Sequence, residues 1–558
     1  MQRIFSIFTA VLLFSNFALA QQINDISQVG DNRAEVRQEG DNMSYIFQNN
    51  PGGERNTAKV NQESGTGESN LSFINQVGTG NNAEVRQEGH NESDIVQQGE
   101  DNRAEVRQEG GSGIEVIGQL GADNQVEATQ EGDGNFIIDI HQEGDENYAE
   151  VTQEGAFQLN GIFQIGDENR AEIRQEGEEN LALIIQGFEE LGPSEESQAE
   201  VTQVGVENFV GFPIALSGIV QAGAENTAEV RQEGEFNFVF FVAQLGEENR
   251  VEVHQEGEEN FASIFQGVEG PSEENKAKIT QEGVGNIVGD LNESISGIFQ
   301  IGFDNNAEVR QEGEANLVSG LLQVGEDNRA EVRQEGAGLI TNIEQLGDEN
   351  QVKITQEGED METNIVQDGT ENRAEVRQEN TTRGASTESL TQIGDGNRAE
   401  VHQEDGEDTG FGILQDGSEN HLKLNTEGAF SGVGTAQVGD KNWLEIHLEG
   451  SSQGGSVDQF GNENRADVHV DGIENFFSIY QNGDENRVEI NQDGDENTAL
   501  AFQDGNGNFI KIVQNGDSNE SDLTQLGDGN SYVNIQNGDG LFNSVVQSGG
   551  SSVVLVQD

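Results

Sequence analysis

Apolar and polar residues alternate strictly through Asn328-Arg-Ala-Glu-Val-Arg-Gln-Glu-Gly336. Asn328, Ala330, Val332 and Gln334 share one face; Arg329, Glu331 and Arg333 share the other. A period of two belongs to a β-strand, and the helical alternative fails because apolar residues do not recur at three and four. The same letters stand at Asn32–Gly40 and Asn102–Gly110, run to Glu379 from Asn372, and recur with one change at Asn169–Gly177. About 22 copies begin between Asn32 and Asn530, most of them 22 residues apart, and a fixed period of this kind marks a repeat architecture.

A second, weaker copy lies between each pair. Asn42, Asn180 and Asn260 open segments that close on Gln48, Gln186 and Gln266, so the unit is an 11-residue half made of a seven-residue strand and a turn. Gly followed by Asp, Glu or Asn supplies the turn signal. Two halves make one strand–turn–strand–turn rung. The predicted fold is all-β: a β-solenoid of stacked rungs with two facing parallel sheets, cross-β-like in its spacing of ~4.8 Å along the stack. One rung buries one Val and one Ile, worth roughly 1.5–3 kcal/mol each, so its order depends on rungs above and below.

The inward positions form the predicted self-assembly core. They are Asn32, Ala34, Val36 and Gln38; Asn102, Ala104, Val106 and Gln108; Asn169, Ala171, Ile173 and Gln175; Asn328, Ala330, Val332 and Gln334; and Asn372, Ala374, Val376 and Gln378. Stacking puts Asn on Asn and Gln on Gln, with side-chain amides donating and accepting along the axis. Longer intervals follow the copies at 32, 169, 197, 249 and 275, and they hold Pro51, Pro193, Pro213 and Pro271. A proline has no N–H for a ladder, so these stretches read as loops bulging from one end of a rung. In three successive copies Thr426, Leu448 and Val470 stand where Gln closes the first strand, which predicts a locally altered column.

Composition changes this picture less than it first suggests. A net charge of −78 with 32% hydrophobic residues is the signature of disorder, but the repeat places its few apolar residues on one face. The charge argues against nucleic acid and anionic membranes as partners. Met1–Ala20 reads as a secretory signal peptide: Arg3, an apolar run too short to span a bilayer, and Ala18-Leu19-Ala20 as the cleavage site. Residues 21–558 then form a single repeat array without cysteine, without a transmembrane segment and without capping sequence at either end. The reading places the protein outside the cell.

No catalytic constellation, cofactor site or metal site emerges. His254, His402, His447 and His469 share the outward position of Arg37, a column that tolerates several residue types. The acidic turns lack the fixed order of a calcium-binding nonapeptide. Two surface features stand out instead. Glu143, Glu154 and Glu176 fall in one column, and stacked like charges predict assembly favoured by acid and by salt. Outward positions of second strands carry Met43, Tyr45, Phe47, Leu181, Leu183, Ile185, Phe261 and Phe265, which predicts an exposed apolar stripe suited to lateral packing.

Gln164-Ile-Gly166, Asn169-Arg-Ala171 and Gln175, and again Gln392-Ile-Gly394, Asn397-Arg-Ala399 and Gln403, resemble the repeat of curlin, the subunit family of curli fimbriae. The resemblance covers nearly all of residues 21–558. It departs from the family in the length of the array, in Asn where Ser usually opens a strand, and in lacking a Gly-rich segment before the repeats. It implies a secreted, non-enzymatic fibre subunit of a cell surface or biofilm matrix. The partners it implies are further copies of the same chain, a nucleator or homologous subunit, and an outer-membrane export pore. A monomeric solenoid acting as a surface adhesin or carbohydrate-binding rod is the alternative.

Overall fold

The computed structural model describes residues 22–65, 68–188, 192–211, 217–268, 270, 272–289, 296–381, 386–403, 410–428 and 432–558. These fall into two compact units, Met1–Phe188 and Glu189–Asp558. The predicted signal peptide, Pro213 and Pro271 lie outside the described residues.

Each unit is a β-solenoid, and no helix occurs among the described residues. In the first unit, first strands such as Asn32–Glu39, Arg103–Gly110 and Arg170–Glu178 belong to one parallel sheet. Second strands such as Ile23–Val29, Met43–Asn49 and Leu159–Ile165 belong to the facing one. The register is like on like: Ala34, Val36 and Gln38 lie beside Ala58, Val60 and Gln62. The second unit repeats the plan, with Ala307, Val309 and Gln311 beside Ala330, Val332 and Gln334. Alternation is what makes this possible. Val332 and Gln334 are buried while Arg333 between them is exposed, because a strand sends successive side chains to opposite faces.

The turn shows why its residues are fixed. In Gly144-Asp145-Glu146-Asn147, Gly144 has φ +125° and a Cβ there would stand 2.0 Å from the carbonyl oxygen of Gly166 one rung on. Only glycine fits such a close backbone approach. Glu146 is itself left-handed at φ 58°. Asp145 and Asp167 occupy the same turn position in neighbouring rungs, and the Asp145 amide donates to Asp167 Oδ1 at 2.8 Å. The acidic turns therefore do structural work beyond solvation: Asp348, Asp484 and Asp517 accept a backbone N–H from the rung before in the same way.

The insertions correct the expectation of loops at one end of a rung. Pro51 and Pro193 do lie outside strands. Two second strands, however, are divided in the middle. Phe209–Val210 resumes as Gly218–Ala224, and Ile287–Val288 resumes as Gly297–Phe303. Paired strands elsewhere absorb one residue as a bulge, between Ile137 and Asp139, between Val239 and Phe241, and between Val318 and Gly320.

Candidate functional site

The amide columns join successive rungs. In the first unit Gln48, Gln76, Gln97, Gln119, Gln142 and Gln164 each donate Nε2–H to the Oε1 of the next rung's glutamine at 2.6–2.9 Å. The other N–H of Gln76 goes to the Thr57 carbonyl across the core, so the amide is fully used. Buried amides without partners cost about 1–3 kcal/mol, and a continuous ladder avoids that cost. The second unit carries the same second-strand column without a break from Gln221 to Gln547.

Asparagine runs the other way. Asn147 Nδ2 donates to Asn124 Oδ1 of the preceding rung at 3.1 Å and to the Gly166 carbonyl at 2.6 Å. Gln donates toward the C-terminal rung and Asn toward the N-terminal one. Of the sequence-predicted core, the four residues of each of the sets at 102, 169, 328 and 372 are buried. Asn32, Ala34, Val36 and Gln38 are only half-buried because they lie near an exposed edge.

That edge is chemically specific. Every residue of Ile23–Val29 is exposed, and among the described residues the strand pairs only with Met43–Asn49. Ile26 projects its side chain at 44% exposure. Gln38 Oε1 has no hydrogen-bond partner, as the first acceptor of a column whose donor would come from a preceding rung. At the other edge Ser552–Gln557 exposes Val553, Val554 and Val556, and Phe542–Ser548 exposes Phe542 and Val546.

The altered column is where sequence reasoning saw the change and missed its partner. Thr426, Leu448 and Val470 are buried. In some rungs the closing Gln meets a hydroxyl inside the following strand, as Gln62 and Ser72, Gln87 and Ser93, and Gln334 and Thr341 do, and in others, such as those of Gln130 and Gln311, the facing position holds a buried apolar residue, Ile137 or Val318. In the altered rungs that facing position holds Val433, Gly455 and Phe477. Phe477 is fully buried, and a Cβ on Gly455 would lie 2.4 Å from its ring. In these rungs Leu448 and Val470 bury apolar side chains where other rungs bury an amide, and the Phe477 ring fills the space over Gly455. Where the column restarts, Gln492 Oε1 has no donor, because Val470 stands before it.

The outer faces differ from expectation. Leu181, Leu183, Ile185, Phe261 and Phe265 are buried, not exposed as a stripe. Phe265 stacks between Phe241 and Phe299 with ring centroids 5.3 and 4.6 Å away, and Gly289 approaches the Phe261 ring. Phe241 of a bulged strand and Phe299 of a divided one cover Phe265, whereas Met43 and Tyr45 are half-buried and Phe47 stays exposed. The charged first-strand face is ordered by short ion pairs across the strand, such as Arg103–Glu105 at 2.8 Å, Arg174–Glu176 at 2.8 Å and Arg333–Glu335 at 3.0 Å. His447 and His469 stack at 4.9 Å, and His447 Nε2 lies 3.0 Å from Glu449. Among the described residues no group of three His, Asp or Glu is gathered to hold a metal ion.

Two carboxyls stand apart. Burial pushes Asp94 and Asp139 up to about 7, with Glu92 adding to the first and Glu115 to the second. Each has an Oδ1 with no partner. Desolvation therefore raises these groups, rather than the stacked Glu repulsion expected from the sequence.

The model of the curlin associated repeat matches residues 121–155, 302–336, 325–358 and 483–516. No curated protein matches the chain. The chain therefore carries curlin associated repeats in both units.

Proposed function

With these repeats as premise, we propose that the chain is a secreted structural subunit that polymerises with itself into curli-like amyloid fibres of the cell surface or biofilm matrix. In this reading residues 1–20 are removed, and 21–558 act as one continuous array with the Asn, Ala, Val and Gln columns as its assembly core. The observation that carries it is the exposed strand Ile23–Val29 beside the unpartnered Oε1 of Gln38. An edge that presents a regular ladder templates further pairing.

The order of strands supports the same reading. The described strands begin with one of the second type, Ile23–Val29, and finish with one of the first type, Ser552–Gln557. A following copy would continue the alternation without a gap. Gln557 of one copy would meet Gln38 of the next, and Gln547 would meet Gln28. The amide that donates at one edge finds the acceptor that waits at the other.

Electron microscopy of purified 21–558 with a seeding assay tests the proposal. Fibres are the expected result, with seeds shortening the lag. Ile26→Lys should leave the soluble chain folded, since its ammonium stays in water, and should block growth, since stacking would bury the charge. A parent chain that stays monomeric under seeding overturns the reading in favour of a rod-like surface adhesin.

A further inference from the structure

The glutamine and apolar columns recur in every rung, so they do not mark the two edges as a pair. Ile26 and Gln28 at one edge, and Val545 and Gln547 at the other, repeat what Ile46 and Gln48 present inside the stack. One inward place differs. Four residues before the closing Gln, interior second strands hold residues such as Ser44, Ile137, Ala262 and Ser521. At the edges that place holds Asn24 and Asn543.

The two asparagines are in opposite states. Asn24 lies beside the buried Ser44, whose hydroxyl donates to Asn24 Oδ1 at 2.6 Å. Among the described residues its Nδ2 has no acceptor. Asn543 is 7% exposed, lies beside Ser521, and donates Nδ2–H to the Tyr532 hydroxyl at 3.1 Å. Among the described residues its Oδ1 has no donor. One edge keeps a donor and the other an acceptor in a single column. Asn160 shows what an apolar neighbour does to such an amide. It belongs to the same column, lies fully buried between Ile137 and Ala182, and neither polar atom of its side chain has a partner.

We propose that Asn24 and Asn543 form a buried side-chain pair between copies, and that this pair selects the end of a second copy as the occupant of each edge. The inference rests on the self-association reading and deepens it from pairing to recognition. As Ile23–Val29 docks on Phe542–Ser548 with Gln28 on Gln547, Asn24 falls on Asn543, and its Nδ2–H donates to the waiting Oδ1. Both amides leave water satisfied. An edge with an apolar residue at this place would leave one amide buried as Asn160 is, and is rejected for it. A single asparagine specifies register and partner in coiled-coil seams by the same means. The outer face adds to the match, since Phe542, 59% exposed, then lies beside Ile23, 39% exposed. In the 21–558 chain only Gln21 and Gln22 precede that strand.

The test measures the critical concentration for fibre growth of the 21–558 chain and its variants. Asn24→Val and Asn543→Val each leave one amide unpaired at every joint and should raise it about tenfold or more. The lost bonds to Ser44 and Tyr532 burden the free and the docked chain alike. Asn24→Val/Asn543→Val matches valine to valine and should return to the parent's value. An equimolar mixture of the two single variants is the sharper measurement. Alternation of the two chains restores a matched joint every time, so the mixture should grow well below the critical concentration of either alone. Damage to the fold would not be repaired by mixing. Single variants that polymerise like the parent overturn the inference while the fibre reading stands, and so does a mixture no better than its parts. A parent that forms no fibres overturns the fibre reading first and this inference with it. Where circular dichroism shows a valine variant to have lost β-content, Asn24→Ala and Asn543→Ala decide in the same mixture.

Discussion

The two ends of a rung behave differently through residues 420–470. At one end Asn420, Asn442 and Asn464 keep their column, and Gln437, Gln459 and Gln481 keep theirs. At the other end the glutamines give way to Thr426, Leu448 and Val470, opposite Val433, Gly455 and Phe477. Both ends are buried and both are tightly stacked. The contrast teaches that a core position in this fold is not chosen alone. A buried amide is tolerated where neighbouring amides and a backbone carbonyl satisfy it, as for Gln311 opposite Val318, and an apolar side chain is tolerated where the strand across supplies apolar volume.

The largest effect should come from breaking both ends at once. Val332→Asp puts an unpaired charge in the shared core and should cost about 3–5 kcal/mol, read as lost amide protection in hydrogen exchange around residues 305–356. Next is acid. Asp94 and Asp139 are raised to about 7 in the fold from an ordinary value of 3.8. The folded state thus binds protons more tightly than the unfolded one. Their penalty is absent below about pH 4, grows as pH rises toward 7, and levels off beyond, reaching a few kcal/mol per group at most. The first unit should therefore gain stability on acidification from pH 7.5 to 5, and Asp94→Asn/Asp139→Asn should flatten that dependence in urea titrations.

Swapping one member of a pair sharpens the comparison directly. Gln334→Leu should cost roughly 1–3 kcal/mol, because it strands one N–H of the Gln311 amide and leaves the Gln356 carbonyl with the Thr341 hydroxyl alone. Leu448→Gln should cost about 1–3 kcal/mol for the opposite reason, an amide placed among apolar groups. Adding Gly455→Ser together with Phe477→Ser, which clears the ring from that position, to Leu448→Gln should recover part of that loss, and a mutant cycle with no coupling would show the two strands to be independent. The smallest effect concerns the turns. Glu349 adopts a left-handed φ of 55°. Glu349→Asn should stabilise by a few tenths of a kcal/mol, seen as a small rise in the urea midpoint.

The rung, its period and its inside and outside were legible because alternation and turn chemistry repeat so often that local exceptions do not obscure them. The curlin resemblance rested on Gln164–Gln175 and Gln392–Gln403, and the matched repeats fall at 121–155, 302–358 and 483–516. What escaped was information carried across strands. Nothing near Leu183 or Phe265 in the chain announces that cover comes from divided strands and bulges elsewhere. The Asp turn column escaped for a related reason. A carboxylate beside a glycine reads as solvated charge until a backbone N–H one rung away is seen to need it. Asp94 and Asp139 look like any outward acid in the sequence, and only packing on the outer face removes their water.

The opposed directions of the Asn and Gln columns carry an electrical consequence. Each side-chain amide is a dipole comparable with the ~3.5 D of a peptide unit, and a column of them pointing one way would build a macroscopic moment with every added rung. Here Asn147 points back toward Asn124 while Gln142 points on toward Gln164. The moments cancel within each rung, as they do for alternating backbone amides in the sheets. Lengthening such a stack accumulates no dipole between its ends, so the side-chain ladders themselves set no limit on how many rungs it adds. Rungs that lack one member leave a residual moment, those with Leu339 or Met361 in place of Asn in one direction and those with Thr426 or Val470 in place of Gln in the other.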